Sequence, residues 1–167
     1  RGISSITLIV ALPTILVASW LGIELGLLIR TLNQAKTAAD AAALAAAARL
    51  DESFDSYGPA SVAAAAANVI HDAPAIIVPE MDNAGGDLSV GRWDPATRQF
   101  TPDLTQVDAV AVTIRVGGDA PNAAPGYILP GIIELSNLVF QRTSVAARVP
   151  PANSIAPSRS EEHTSEL

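Results

Sequence analysis

The sequence predicts an α+β chain built on one long apolar helix, and three observations support that class. The first thirty residues are almost free of charge, an alanine-rich stretch continues them without Gly or Pro, and the hydrophobic period downstream changes to two. On this reading the 167-residue chain divides into a transmembrane anchor at 1–30, an Ala-rich helix continuing it at 31–50, a second helix and a small antiparallel β-sheet at 51–150, and a disordered tail at 151–167.

The anchor follows from length. Residues 2–23 are uncharged, and about 22 residues rising ~1.5 Å each span ~33 Å, the thickness of a bilayer's hydrocarbon core. A buried core helix would be shorter and would show a polar face, whereas Ser4, Ser5, Thr7, Thr14 and Ser19 are scattered around the circumference. A cleaved secretory signal has an apolar region of only ~7–15 residues. Pro13 is compatible with a membrane helix, which it kinks without ending.

Residues 31–50, TLNQAKTAADAAALAAAARL, consist mostly of strong helix formers, and nothing between Arg30 and Thr37 signals a stop. One continuous helix is therefore expected from about Ile3 to about Leu50, roughly 70 Å long. DESFDSYG at 51–58 should interrupt it. Gly58-Pro59 then places proline at the first turn of a second helix, which Pro74 limits to about Asp72. After a loop over 74–86, DLSVGRW (87–93) and RQFT (98–101) form a predicted hairpin, with Pro95 at the second position of a type I turn.

VDAVAVTIRV (107–116) is the clearest strand. It alternates Val110, Val112, Ile114 and Val116 on one face with Ala109, Ala111, Thr113 and Arg115 on the other. Gly117-Gly118 ends it, PGIIELSNLVF (130–140) is expected as a short helix, and RTSVAARV (142–149) as a last strand.

Charge and composition exclude several functions. A net charge of −7 without a Lys/Arg cluster argues against nucleic-acid binding, and the absence of cysteine rules out disulfides and thiolate chemistry. RSEEHTSEL at 159–167 reads like a translated sequencing-adapter oligonucleotide and is set aside; it accounts for −2 of the charge. The start at Arg1 without Met leads us to expect a fragment open at both ends.

Chemistry-bearing residues are few. His71, beside Asp72, is read as a solvent-facing residue at a helix C-terminus, where it favours the dipole. Asp82, Asn83 and Asp87 around Gly85-Gly86 lack the twelve-residue calcium pattern with its terminal Glu, so a turn is the better reading. Trp20 reads as a lipid-facing or interfacial ring and Trp93 as a core anchor. No nucleophile, base, metal-ligand or cofactor set can be assembled, and a non-enzymatic role is expected.

Arg1-Gly2, the spanning segment ending in GIELG, the continuation LNQAKTAADAAALAAAARL, and the later VGRWDPATRQFTP and DAVAVTIRV together resemble the TadG-like (TadE/TadG) proteins of Flp, or tight adherence, pilus assembly. Gln34, Ala35, Ala38, Ala39, Asp40, Ala41, Ala42, Ala43, Leu44 and Ala45 fit the stretch that follows the family's spanning helix. Related pseudopilins carry Glu five residues after their cleavage site. Thr7 holds that place here if Gly2 precedes the site, so processing is not expected.

The resemblance implies a single-pass protein of the bacterial inner membrane, with its C-terminal part periplasmic and other pilus-assembly membrane proteins as partners. The visible charges point the other way: Arg30, Lys36 and Arg49 follow the segment and only Arg1 precedes it.

Within the anchor, Ala18, Gly22 and Gly26 form a small-xxx-small ridge suited to helix packing, and a homo-oligomer and any neighbouring helix are equally open as its partner. Glu24, an intramembrane acid two positions from each glycine, points away from the ridge. It is a functional candidate by default, although its distance from Arg30 favours an interfacial position. Two functional classes follow: a component of Flp pilus assembly working through protein contacts, or a single-pass sensor or accessory segment of a larger protein.

Overall fold

The computed structural model describes residues 2–51, 53–80, 86–124 and 139–148, with side chains from residue 8 onward. Helix α1 runs unbroken over Gly2–Ala47, with Pro13 inside it, and a turn carries the chain to Asp51. Thr14 Oγ1 donates to the Val10 carbonyl at 2.9 Å, so its hydroxyl is satisfied within the helix. The unbroken α1 bears out the expected long helix.

The two halves of α1 live in different environments. Leu8, Ile9, Val10, Leu12, Ile15, Leu16, Val17, Leu21, Ile23, Leu25 and Ile29 are all more than half exposed. Ala35, Ala38, Ala39, Ala42, Ala43, Ala46 and Ala47 are buried, and their spacing of three and four residues lays them along one face. Alanine at every step of that face lets the helix backbone come close to its neighbours. Those neighbours are helix α2 (Phe54–Ala66), the central strand β5 (Ala109–Val116) and the edge strand β6 (Phe140–Ala147).

Helix α2 starts earlier and stops sooner than expected. Ser53 takes the N-cap position with extended φ and ψ, Phe54 and Tyr57 pack edge-to-face at 5.5 Å, and Pro59 falls inside the helix at an exposed position. The aromatic pair explains the early start. Gly58 is buried against the Phe54 ring, where an added Cβ would sit 3.4 Å from Cζ, so the first turn is pinned by packing despite the missing proline N–H. After Ala66 the chain does not continue to Asp72 as helix. It forms a two-residue hairpin, β1 (Val69–Ile70) against β2 (Ala73–Pro74), with His71 and Asp72 at its tip.

The main sheet is antiparallel in the order β4-β3-β5-β6, with β3 over Leu88–Asp94, β4 over Gln99–Pro102, β5 over Ala109–Val116 and β6 over Phe140–Ala147. This gives the α+β class expected. The register pairs Gly91 with Pro102 and Ala109, Val112 with Leu88 and Ser144, and Val116 with Phe140. Val110, Val112, Ile114 and Val116 are fully buried on one face with Leu88 and Val90, as the alternation predicted.

The β3–β4 turn is held by Asp94, whose Oδ1 accepts from Ala96 N at 2.9 Å and whose Oδ2 accepts from Thr97 Oγ1 at 2.8 Å. Phe140, expected to end a helix, opens β6, and Val139 before it is not helical; residues 130–138 of that predicted helix, the last residue of the predicted final strand and the tail lie outside the described residues. Trp93 is half-buried opposite Phe100 on the sheet's second face, and so does not belong to the buried core.

The extended run 75–78 is fixed by side chains because it has no ladder of its own. Asn122 accepts from Ile76 N at 2.8 Å and donates to the carbonyls of Ile76 and Arg115. Buried Asp87 accepts from Val78 N at 2.7 Å and from Arg115 Nε at 2.6 Å.

Candidate functional site

The residues singled out from sequence lie on opposite sides of α1. At 100° per residue, Trp20, Glu24, Leu27, Leu28 and Thr31 continue the line of the buried alanines, and Ala18, Gly22 and Gly26 fall on the other side. The exposures follow this division. The five are half-buried or buried, whereas the three small residues are exposed, and a Cβ added at Gly22 or Gly26 would meet no atom within 4 Å. Glu24 thus shares a face with the groups that carry the sheet. Trp20 Nε1, one turn earlier on the same face, is covered and has no hydrogen-bond partner among the described residues.

Where this face reaches Thr31 the β1–β2 hairpin meets the helix. Thr31 is fully buried, and its hydroxyl donates to the Leu27 carbonyl at 2.9 Å. That donation uses the only hydroxyl proton, so the 2.8 Å contact with His71 Nε2 must be His71 Nε2–H donating to Thr31 Oγ1. His71 N donates to Gln34 Oε1 at 3.4 Å, a long bond. His71 is therefore docked on α1 and does not face solvent at a helix end. Its imidazole pKa is held below the usual range, first by burial and then by the Arg30 charge, with Asp72 opposing.

Two further contacts tie α1 to the sheet. Lys36 Nζ donates to Asp40 Oδ1 at 2.6 Å and to Ser144 Oγ at 2.5 Å, and Ser144 also bonds Asp40. The triad joins α1 to β6. At the far end Arg148 pairs with Asp51.

An open groove of about 580 Å³ lies between α1 and the hairpin, lined by Gly26, Ile29, Arg30, Asn33, Gln34, Thr37, Asn68 and Val69. Among the described residues no group of three His, Asp or Glu side chains is placed to hold a metal ion. Asp87, which the sequence put near a calcium-like loop, is committed to Arg115 and Val78; Asp82, Asn83 and Gly85 lie outside the described residues.

Sequence reasoning passed over Thr31 and Ser144 and placed His71 at a solvent-facing helix end. No local signal marked their roles: His71 stands between Ile70 and Asp72, and Ser144 between Thr143 and Val145.

These features define a class: an α+β protein built on the distal half of one helix whose proximal half is long and apolar enough to cross a membrane. Residues 2–49 match the Flp pilus-assembly TadE/G-like family. The matched segment is the whole of α1 and the two residues after it, which is where the sequence resemblance was most specific. No curated protein and no solved structure matches the chain. The family match supports involvement in Flp pilus assembly.

Proposed function

We propose that this chain is a non-enzymatic, membrane-anchored component of Flp pilus assembly that acts by protein–protein contacts in the cell envelope. The observation that carries the anchoring is the contrast along α1. Eleven large aliphatic side chains between Leu8 and Ile29 stand more than half exposed, while the continuation of the same helix is buried. At about 1 kcal/mol for each half-exposed side chain, leaving them in water would cost on the order of 10 kcal/mol, comparable with the whole stability of a domain. Lipid removes that cost.

Continuity separates this from a cleaved signal, because the apolar half and the half that carries the sheet are one helix. The TadE/G-like match supplies the cellular process, and the Tad family is not a known enzyme family. The inner membrane, with the sheet on the periplasmic side, is the placement that process favours. The exposed Ala18, Gly22 and Gly26 ridge, turned away from the sheet, is the surface offered to a neighbouring membrane helix.

Deletion of the gene in a piliated host tests the role: loss of Flp pili, restored by the intact gene, is the expected result, and unchanged piliation would refute it. Alkaline phosphatase fused after Arg148 should be active if that end is periplasmic. Activity only from a reporter confined to the cytoplasm would reverse the orientation.

A further inference from the structure

The groove between α1 and the β1–β2 hairpin sits at a particular depth. The uncharged run ends at Ile23, and Gly26 to Arg30 then rise ~4.5 to ~10 Å beyond it, the level of the headgroup layer if the run fills the hydrocarbon core. The groove's walls change character over that distance. Gly26 leaves its floor without a side chain, Ile29 is half exposed, and from Arg30 onward the lining is polar.

Arg30, Asn33 and Gln34 stand at i, i+3 and i+4, so they lie on one side of the helix and all line the groove. Among the described residues neither the Arg30 guanidinium nor the Asn33 side-chain amide is taken up by another group. Gln34 uses its oxygen on the hairpin and keeps its NH₂. The result is one cation and two amide donors facing a cavity that opens toward lipid at one end, with Val69, half exposed, as the opposite wall. Asp72, on the hairpin tip, is not among the lining residues.

We infer that this groove holds the headgroup phosphate of an anionic phospholipid from the leaflet that α1 leaves, with Arg30, Asn33 and Gln34 as donors and an acyl chain running down past Ile29 and Gly26. The inference rests on the reading of α1 as a membrane span. With Arg30 as a cation and no carboxylate in the lining, the groove favours a headgroup of net negative charge over phosphatidylcholine, whose phosphate is offset by its own ammonium. The apolar lower wall selects a lipid over free phosphate.

The test uses the full chain reconstituted in nanodiscs of phosphatidylcholine doped with phosphatidylglycerol, with retained lipid read by native mass spectrometry after mild delipidation. Wild type should retain phosphatidylglycerol in preference to phosphatidylcholine. Arg30→Gln and Asn33→Leu should each lower that retention by about tenfold, the loss of one strong donor. Arg98→Gln, in the β3–β4 turn, should leave it unchanged, and circular dichroism checks that each variant is folded.

Equal retention by Arg30→Gln and wild type overturns the site. So does displacement of the lipid by inorganic phosphate alone, which would make it a free-anion site, and so does a protein in place of lipid in the retained mass. Alkaline carbonate extraction of the wild type separates the two levels. Release from membranes removes the span and this site together, whereas a chain that stays in the membrane but shows no lipid preference removes only the site.

Discussion

His71 and Gly91 show what single positions carry. His71 and Asp72 both have positive φ, 51° and 63°, as the tip of a two-residue hairpin of the I′ kind requires, yet neither is the Asn or Gly that adopts it cheaply. The bonds from His71 to Thr31 and Gln34 offset that local cost by locking the tip onto α1. The same docking makes it pH-sensitive. Burial and Arg30 lower the imidazole pKa in the folded state, so below the ordinary value of 6.5 the unfolded chain binds the proton more readily than the folded one. The contribution is therefore fully present above that value and is lost as the pH falls through the folded pKa. Denaturation midpoints measured from neutral pH down to about 5 should fall for the wild type and fall less for His71→Gln. Gly91 is a steric case. A Cβ there would lie 2.2 Å from the Thr101 carbonyl oxygen and 2.9 Å from Pro102 Cα, both backbone, so Gly91→Ala must push β4 off β3. A loss of about 1–3 kcal/mol is expected, with faster amide exchange concentrated in β4.

Elements were legible in the sequence where their signal was local and long. The unbroken helix and the alternation of β5 were such signals, and Val110, Val112, Ile114 and Val116 do face the core together. Pro59 misled the reading of α2, because a proline in a first-turn context is a strong local cue, and it outweighed the weaker local cue of Phe54 and Tyr57, an i,i+3 aromatic pair in the turn before it. The β1–β2 hairpin has two residues per strand and no Asn-Gly turn, so no periodicity could announce it. The site was less legible for a related reason: His71 meets Thr31 across 40 residues and Ser144 meets Asp40 across 104, pairings that no spacing rule supplies. The alanine face lies between these extremes, since its spacing is plain but what it packs against is not. Its close approach to the sheet and α2 makes it intolerant of bulk. Ala42→Leu, at a fully buried position, should cost about 1–3 kcal/mol in chemical denaturation, whereas Ala48→Leu, exposed in the turn just beyond α1, should change the midpoint by no more than about 0.5 kcal/mol.

At the scale of the whole molecule, the proposed membrane span makes one helix serve two solvents, and its halves should then not melt together. The distal half is held by packing: the alanine face, the Lys36–Asp40–Ser144 triad and the docked hairpin all fail cooperatively once the sheet is lost. The proximal half owes nothing to the sheet. Its large aliphatic side chains from Leu8 to Leu25 are exposed, with Trp20, Glu24, Leu27 and Leu28 half-buried on the line of the alanine face, and in lipid its backbone cannot trade intrahelical hydrogen bonds for water. Heating the chain in nanodiscs should therefore give a single transition that removes the strand signal and part of the helical ellipticity, leaving a helical remainder from about residues 2–29. Protease added above that transition should cut within 31–148 and spare a membrane-embedded fragment beginning before Arg30. Ala42→Leu should lower the transition temperature without changing the remainder. A charged substitution at Val17 should do the reverse, depleting the membrane-inserted population while leaving the temperature of the transition in the inserted chains unmoved. A transition that erased all helical signal at once would show that the proximal half depends on the sheet after all, and the assignment of that half to lipid would fall with it.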